Sequence, residues 1–450
     1  MKKIVLSDRG CLFVDMILQE TDWEIQLLII DDFGHHKEKY AGNSRIKVIL
    51  TFTEMCEWSG DFELDKTDVE GYLKYFNVGD YGSRRLMDDF FYSHYQFYQG
   101  IAFWNNYFNN NEIDLCIITN TLHGFVNDYL LEEVCKKKNI QCYNVFYHFL
   151  YKYGLFDVNK DELVKIRELS AQSINLDDIA NYRSKFDYNE IKDIPYGALA
   201  KIVYKFFGAQ GVRYVAFLIR GRIQNIHYRK TSVLDYYRAV RHIKKLQKFV
   251  KKLYTPVDYK NNYLVYFLHF EPEAVVSGNS QYIDSQIAQI QMLASKLPDD
   301  WVLYVKEHPD LYENISSWNM EYHIPVMPTF YTEYFYKKIT SLKNVYLVDY
   351  HNPASELIKR CKGMATIAGT VMTEAITLKK PILMFADKRH VYQYSRDIVH
   401  ITSSADIVKG IEQIKSGVVP DYNDIDELCD LYLADVNDFG MKEIIDYIGK

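Results

Sequence analysis

The sequence predicts an α/β protein built on two parallel sheets and joined by a basic helical segment. Three observations carry that prediction. Short apolar runs alternate with segments of helical period in the first third of the 450-residue chain and again from Asn262 onward, which is the rhythm of βα units. The chain exceeds the size at which one hydrophobic core keeps growing, so two domains are expected. Residues able to bind or transfer protons stand where several of these runs end, as at the carboxyl edge of a Rossmann-like sheet.

In the first domain, expected over 1–200, strands are read at Lys3–Leu6, Glu24–Ile30, Ile46–Leu50 and Asp114–Thr119. The amino terminus offers three apolar residues before Ser7 and Asp8, too few for a signal-peptide core, and reads as the first strand. Asp114–Thr119 leads through Thr121-Leu122-His123-Gly124 into a helix over Tyr129–Lys138, whose terminal lysines suit the negative end of its dipole. His123 therefore lies in a strand-to-helix loop that can face a ligand.

A connector is expected over 201–260. Of the chain's 53 basic and 60 acidic residues, 14 and one fall within 201–252, leaving 39 and 59 elsewhere. The cations are interleaved with Ile, Leu, Val and Tyr, the pattern of one or two basic amphipathic helices. Two readings follow: a solvated helical face, or a face that docks on an anionic membrane surface. No nucleic-acid-binding module accompanies the charge, so nucleic acid is not an expected partner.

The second domain, expected over 261–410, opens with a strand at Tyr263–His269 and a helix near Asp284–Lys296. Strands follow at Trp301–Lys306, Val345–Val348, Met364–Ala368 and Pro381–Phe385, with helices near Ala354–Cys361 and Met372–Leu378. Residues 411–450 are expected as a helical tail packing back on the body. The acidic run Asp421–Glu427 reads as a solvated face beyond the last strand, because it lacks the glycine-bearing spacing of a calcium loop.

Composition narrows the class. Apolar content of 48% and charged content of 25% are globular averages, which disfavours a disordered or fibrous chain. With 39 Tyr and 25 Phe the chain is rich in aromatics, as suits a carbohydrate-facing surface or a coding bias. Seven scattered cysteines without a Cys-x-x-Cys pair indicate neither a disulfide framework nor a zinc site, so a reducing cytoplasm is the expected setting. No run reaches the roughly 20 apolar residues that span a bilayer.

Three segments carry candidate chemistry. His269-Phe270-Glu271-Pro272-Glu273 follows a strand, with two carboxylates able to act as nucleophile or general base at a sugar carbon. Lys306-Glu307-His308-Pro309 ends the next: Lys306 offers a point charge for a phosphate, His308 a donor to a phosphoryl oxygen, and Pro309 a strand stop that fixes the imidazole. Gly369-Thr370 opens a helix and offers N–H groups and a hydroxyl to an anion, with Thr373 and Glu374 one turn in, where Glu374 can accept from ribose hydroxyls.

Over roughly 262–390 these residues resemble the capsule polysaccharide biosynthesis family, whose members include retaining β-Kdo glycosyltransferases of the GT-B type. Their pattern is a Gln-x-x-Asp-Asp-Ala-Ser-like segment, a Lys-x-His-Pro strand end, then a Gly-Thr/Ser turn with a Glu and a Lys-Pro. Here the corresponding residues are His269 to Ala274, Lys306-Glu307-His308-Pro309, and Gly369-Thr370 with Glu374 and Lys380-Pro381. The resemblance implies two GT-B-like domains, a nucleotide-sugar donor on the second, and a glycan or glycolipid acceptor on the first, with His123 on the acceptor side.

By position, Glu273 falls where the family carries its catalytic carboxylate, Glu271 is the second candidate, and His308 matches the His of the His-Pro motif. Lys306, Pro309, Gly369, Thr370, Thr373 and Glu374 are the expected donor contacts. The resemblance favours CMP-Kdo or another CMP-nonulosonate as donor, whereas Glu for Asp at 273 and His for Gln at 269 depart from the family's pattern and leave the donor and the double displacement open. The expected activity is metal-independent and cofactor-free transfer of a sugar to a growing surface or capsular polysaccharide, in the cytoplasm or peripherally at the inner face of the cell membrane. A nucleotide-sugar 2-epimerase and a non-catalytic nucleotide-binding capsule-assembly protein are the alternatives.

Overall fold

The computed structural model describes residues 1–8, 10–30, 36–51, 54–55, 57–60, 62, 64, 66–73, 90–119, 126–148, 152–167, 233–271, 283, 285–308, 311, 331–386, 389–435 and 437–450. In these residues the chain divides into two compact units: 1–167 with 427–450, and 233–426. The expected tail over 411–450 is thus shared between them. Glu273, Pro309, His123 and the connector's residues 201–232 lie outside the described residues.

The first unit runs β1 (Lys3–Ser7), α1 (Val14–Glu20), β2 (Glu24–Ile30), α2 (His36–Tyr40), β3 (Ile46–Thr51), α3 (Lys66–Tyr72), α4 (Phe90–Asn110), β4 (Leu115–Thr119), α5 (Val126–Lys138), β5 (Gln141–His148), β6 (Lys152–Asp157) and β7 (Glu162–Leu163). Strands β1 to β5 pair in parallel, in the order β3-β2-β1-β4-β5. Every residue of β4 is buried, and all of β1 except Lys3, as expected of strands covered on both faces. The sheet is not parallel throughout: β6 turns back antiparallel on β5, and β7 pairs antiparallel with β6.

The second unit contains α6 (Val233–Val250), β8 (Asn262–Phe267), α7 (Gln286–Ala294), β9 (Trp301–Lys306), α8 (Glu333–Thr340), β10 (Val345–Val348), α9 (Ala354–Arg360), β11 (Gly363–Thr366), α10 (Val371–Thr377), β12 (Ile382–Met384), a short 3-10 turn (Val391–Tyr394), β13 (Ile398–His400) and α11 (Ser404–Lys415). Its six strands are all parallel, in the order β10-β9-β8-β11-β12-β13. The order reverses between β8 and β11, which makes their carboxyl ends the switch point where open α/β sheets bind ligands.

The chain then returns to the first unit through α12 (Ile425–Tyr432), β14 (Leu433–Asp435) and α13 (Asp438–Gly449). The tail is therefore not purely helical, because β14 pairs antiparallel with β6 and completes the first sheet. Ile444, Ile445 and Ile448 join the core that holds Ile4, Leu28 and Ile117. Burying three isoleucines is worth about 5 kcal/mol, enough to fasten the segment. Arg167 adds a fork to Glu443, its Nε donating at 2.9 Å.

Two local expectations change. The acidic run is only partly a solvated face: Asp421 and Glu427 are exposed, but Asp424 is buried and accepts from Ser395 Oγ at 2.9 Å and from the Arg396 N–H at 2.7 Å, and burial pushes the Asp426 carboxyl up. Nor does it lie beyond the last strand, since β14 follows it. No disulfide links the six described cysteines, and no described helix is long and apolar enough to cross a membrane.

Candidate active site at the carboxyl edge of the second sheet

His269, two residues beyond β8, organises the switch point. It is buried, and its Nε2 accepts from the Ala368 N–H at 3.2 Å, which in the neutral ring leaves the proton on Nδ1. The Thr366 hydroxyl lies 3.1 Å from the same nitrogen and donates to the Ala368 carbonyl at 3.1 Å. These contacts stitch the end of β8 to the end of β11. Gly369 follows with φ of +108°, and a Cβ there would meet His269 Cε1 at 3.2 Å. Only glycine adopts that backbone and allows that approach without strain.

Past His269 the chain is held by Gln286 and Tyr331. The buried Gln286 amide accepts from the His269 N–H at 2.8 Å and donates to the His269 carbonyl at 3.2 Å and to Glu271 Oε1 at 2.6 Å. The Tyr331 hydroxyl accepts from the Glu271 N–H at 2.6 Å and donates to the His269 carbonyl at 3.3 Å. Glu271 is thus a half-buried carboxylate with its backbone and one oxygen fixed. Neither Gln286 nor Tyr331 was marked by the sequence, which gives no local signal for an amide and a phenol supplied by other elements.

His308 sits two residues beyond β9, half-buried, its ring 6.4 Å from that of Phe270. The structure therefore brings His308 and Glu271 to neighbouring strand ends, those of β9 and β8. Lys306 is placed differently from the expectation. It is buried, and its ammonium donates to the Tyr350 carbonyl at 2.9 Å and to the Glu307 carbonyl at 3.4 Å, so it fastens the ends of β9 and β10 instead of presenting a charge.

Beyond β11, Thr370 is the N-cap of α10 and its hydroxyl makes no capping bond. The N–H groups of Thr370 and Val371 have no backbone acceptor among the described residues. Thr373 is buried with its hydroxyl unpartnered among them, a costly state for a polar atom unless something occupies the site. Glu374 is half-buried one position on. α10 has only seven residues, so the donors offered at this turn are these groups and not its dipole.

His390, after β12, is a structural histidine. Burial, then the charges of His400 and His269, hold it down to about 3, and its Nδ1 accepts from the Tyr392 N–H at 3.4 Å. It stays neutral at physiological pH and is no proton shuttle there. A cavity of about 450 Å³ lies at the opposite edge of the sheet, lined by Asn262, Trp301, Lys362 and Pro381 near the strand starts. Parallel α/β sheets bind ligands at the other edge, where His269 and Gly369 meet. No group of three His, Cys, Asp or Glu among the described residues is arranged to hold a metal.

No protein-family model matches the sequence, and none of the curated proteins does. Similar solved structures include UDP-GlcNAc 2-epimerase from Methanocaldococcus jannaschii, 12% identical, covering 99% of each chain with a TM-score of 0.25. The Neisseria meningitidis UDP-GlcNAc 2-epimerase bound to UDP-GlcNAc is 12% identical over 100% of this chain and 99% of that one, with a TM-score of 0.27. KpsC from Thermosulfurimonas dismutans, a β-Kdo 2,7 transferase, is 11% identical over 86% of this chain and 90% of its own, with a TM-score of 0.29. Likenesses at this level decide no residue and no activity; the α/β class is read from the two sheets themselves.

Proposed function

We propose that the second unit binds a nucleotide-sugar at the β8–β11 switch point and that the protein transfers the sugar to a glycan or glycolipid acceptor of a surface polysaccharide. The observation that supports this most is the Gly369 turn: a backbone that only glycine takes up without strain, pressed against His269 and followed by N–H groups and a buried Thr373 hydroxyl that have no acceptor or partner among the described residues. Such a set of donors matches a phosphate oxygen. In this reading the Thr370 and Val371 N–H groups and the two threonine hydroxyls hold the donor phosphate. His308 donates to it as the sugar–phosphate bond breaks, and Glu374 accepts from the ribose. Glu271, fixed by Gln286 and Tyr331, takes the proton of the attacking acceptor hydroxyl. A CMP-linked nonulosonate is the donor favoured by the sequence resemblance.

Calorimetric titration with CMP, UDP and GDP tests the reading on the native protein and on His308→Ala, Glu374→Ala and Thr373→Val. Selective binding of one nucleotide, weakened about fivefold by Thr373→Val for one lost hydrogen bond, is expected. Preference for UDP or GDP would replace the donor and keep the site. Absence of binding to all three would overturn the assignment.

A 2-epimerase is a second reading, favoured by a fixed carboxylate and an imidazole on neighbouring strand ends, the acid and base such a reaction needs. Incubation with UDP-GlcNAc and no acceptor separates the two. Formation of the 2-epimer supports the epimerase, whereas sugar turnover that requires an added glycan supports the transferase.

A further inference from the structure

The exposed face of α6 carries a charge pattern that the donor site does not use. Ala239, Ile243, Leu246 and Val250 are buried, and α6 packs beside α8, with His242 Nε2 3.0 Å from the Tyr331 carbonyl and Lys337 over the Phe249 ring at 5.2 Å. The apolar stripe is therefore consumed inside the unit. Arg238, Arg241, Lys244, Lys245 and Lys248 are exposed, as are Lys251 and Lys252 just beyond the helix. At about 100° per residue, the five helical cations fill an arc of about 120° centred opposite the buried stripe, so they point straight away from the protein.

Six of these cations have no counter-charge among the described residues. Arg241, Lys244, Lys245, Lys248, Lys251 and Lys252 form no ion pair among the described residues. α6 itself has one acid, Asp235, near its start. Elsewhere helices of this chain pair their charges at i,i+4, as in Glu333 with Lys337, Glu356 with Arg360 and Lys442 with Asp446. A row of like charges about 20 Å long costs self-repulsion unless an anionic partner offsets it. The chain as a whole carries a net charge of −7, so an anionic surface would repel most of it and attract this face, which fixes the orientation of approach.

We infer that α6 is an electrostatic docking face for an anionic lipid surface, holding the protein by its cations alone, without inserting an apolar edge. The sequence by itself suggested a basic amphipathic helix, which could have inserted; the structure has already spent the apolar side on the core. The convex shape of a single helix suits a diffuse planar charge better than a linear polyanion, which is tracked by a groove with stacking platforms.

The experiment is co-sedimentation of the full chain with mixed phosphatidylglycerol–phosphatidylcholine vesicles and with pure phosphatidylcholine vesicles. The variant combines Arg241→Gln, Lys245→Gln and Lys248→Gln, and its unchanged melting curve would establish that the fold is kept. The expected result is binding to the anionic vesicles alone, lost when salt shortens the screening length to a few ångströms, and weakened about a hundredfold in the triple variant. Binding to neutral vesicles, or binding that survives high salt, would overturn the inference in favour of apolar insertion. Wild-type binding by the triple variant would move the contact off α6. Capture of soluble heparin with no vesicle binding would make the face a polyanion site instead.

Discussion

The two sheets treat their switch points in opposite ways. In the first unit, the turn after β1 closes on its own carboxylate: Asp8 is fully buried and accepts from the Phe13, Val14 and Leu12 N–H groups at 2.7, 3.0 and 3.1 Å and from the Thr119 hydroxyl at 2.7 Å. In the second unit, no such side chain meets the turn after β11 among the described residues, and there the Thr370 and Val371 N–H groups have no backbone acceptor. One architecture thus yields a self-capped turn in one case and a receptive one in the other. The difference teaches that the same strand-to-helix turn leaves backbone donors available only where the chain withholds its own anion.

The harshest way to break the comparison is Asp8→Ala, which strips the acceptor from several buried donors at once. A loss of about 4 kcal/mol in urea unfolding of the first unit is expected. A loss below about 1 kcal/mol would mean that Asp8 is not what holds the turn.

Acidification sharpens the contrast, because the two units carry opposite linkage. For His390 in the second unit, the folded state binds fewer protons than the unfolded state between about 3 and 6.5, so its stabilisation is complete above that window and is lost as pH falls through it. About 3 kcal/mol of second-unit stability should vanish between pH 7 and pH 4. Burial, opposed by the Thr119 and backbone hydrogen bonds, pushes the Asp8 carboxyl above its ordinary value. The folded first unit then binds the extra proton, and this contribution favours folding at low pH and fades as pH rises through the raised pKa. Hydrogen exchange, corrected for intrinsic rates, should show the second unit losing protection first on acidification and His390→Gln flattening that response. Equal loss in both units would contradict the assignment.

A smaller effect is expected at Gly369. Gly369→Ala should cost about 2 kcal/mol and lower nucleotide affinity at least about tenfold, because the new methyl must displace His269. Gly42→Ala is the control, with φ of +82° and nothing within 4 Å of its Cβ, so it reports the backbone cost alone. If both variants behave alike in unfolding and titration, the His269 contact is irrelevant to the site.

Much of the second sheet was legible along the chain. The runs at 263–269, 301–306, 345–348, 364–368 and 381–385 all coincide with strands to within a residue or two, because parallel strands buried on both faces must be apolar throughout. Strands β13 and β14, of three residues each, gave no signal because each ends in a polar residue, whereas the equally short β12 lies in the unbroken apolar run Ile382–Phe385. The antiparallel return of β6 was equally hidden, since strand direction leaves no mark on local periodicity.

At the site, the sequence marked His308 and Glu271 at strand ends, the Gly369-Thr370 turn with Thr373 and Glu374 one helical turn in, and Lys306 by its charge. What it left out was contact. His269 meets Thr366 and Ala368 across 97 and 99 residues of chain, and Lys306 finds the Tyr350 carbonyl across 44. Periodicity and composition act over a few residues, so the sequence by itself determined the α/β class, the positions of the second sheet's early strands along the chain and the helix that carries the cations. Which imidazole stitches the switch point, which cation is buried as a fastening, and which side of α6 remains for a partner were decided by tertiary packing alone. Desolvation and hydrogen bonding depend on neighbours in space, and those neighbours are brought together only when the sheet closes.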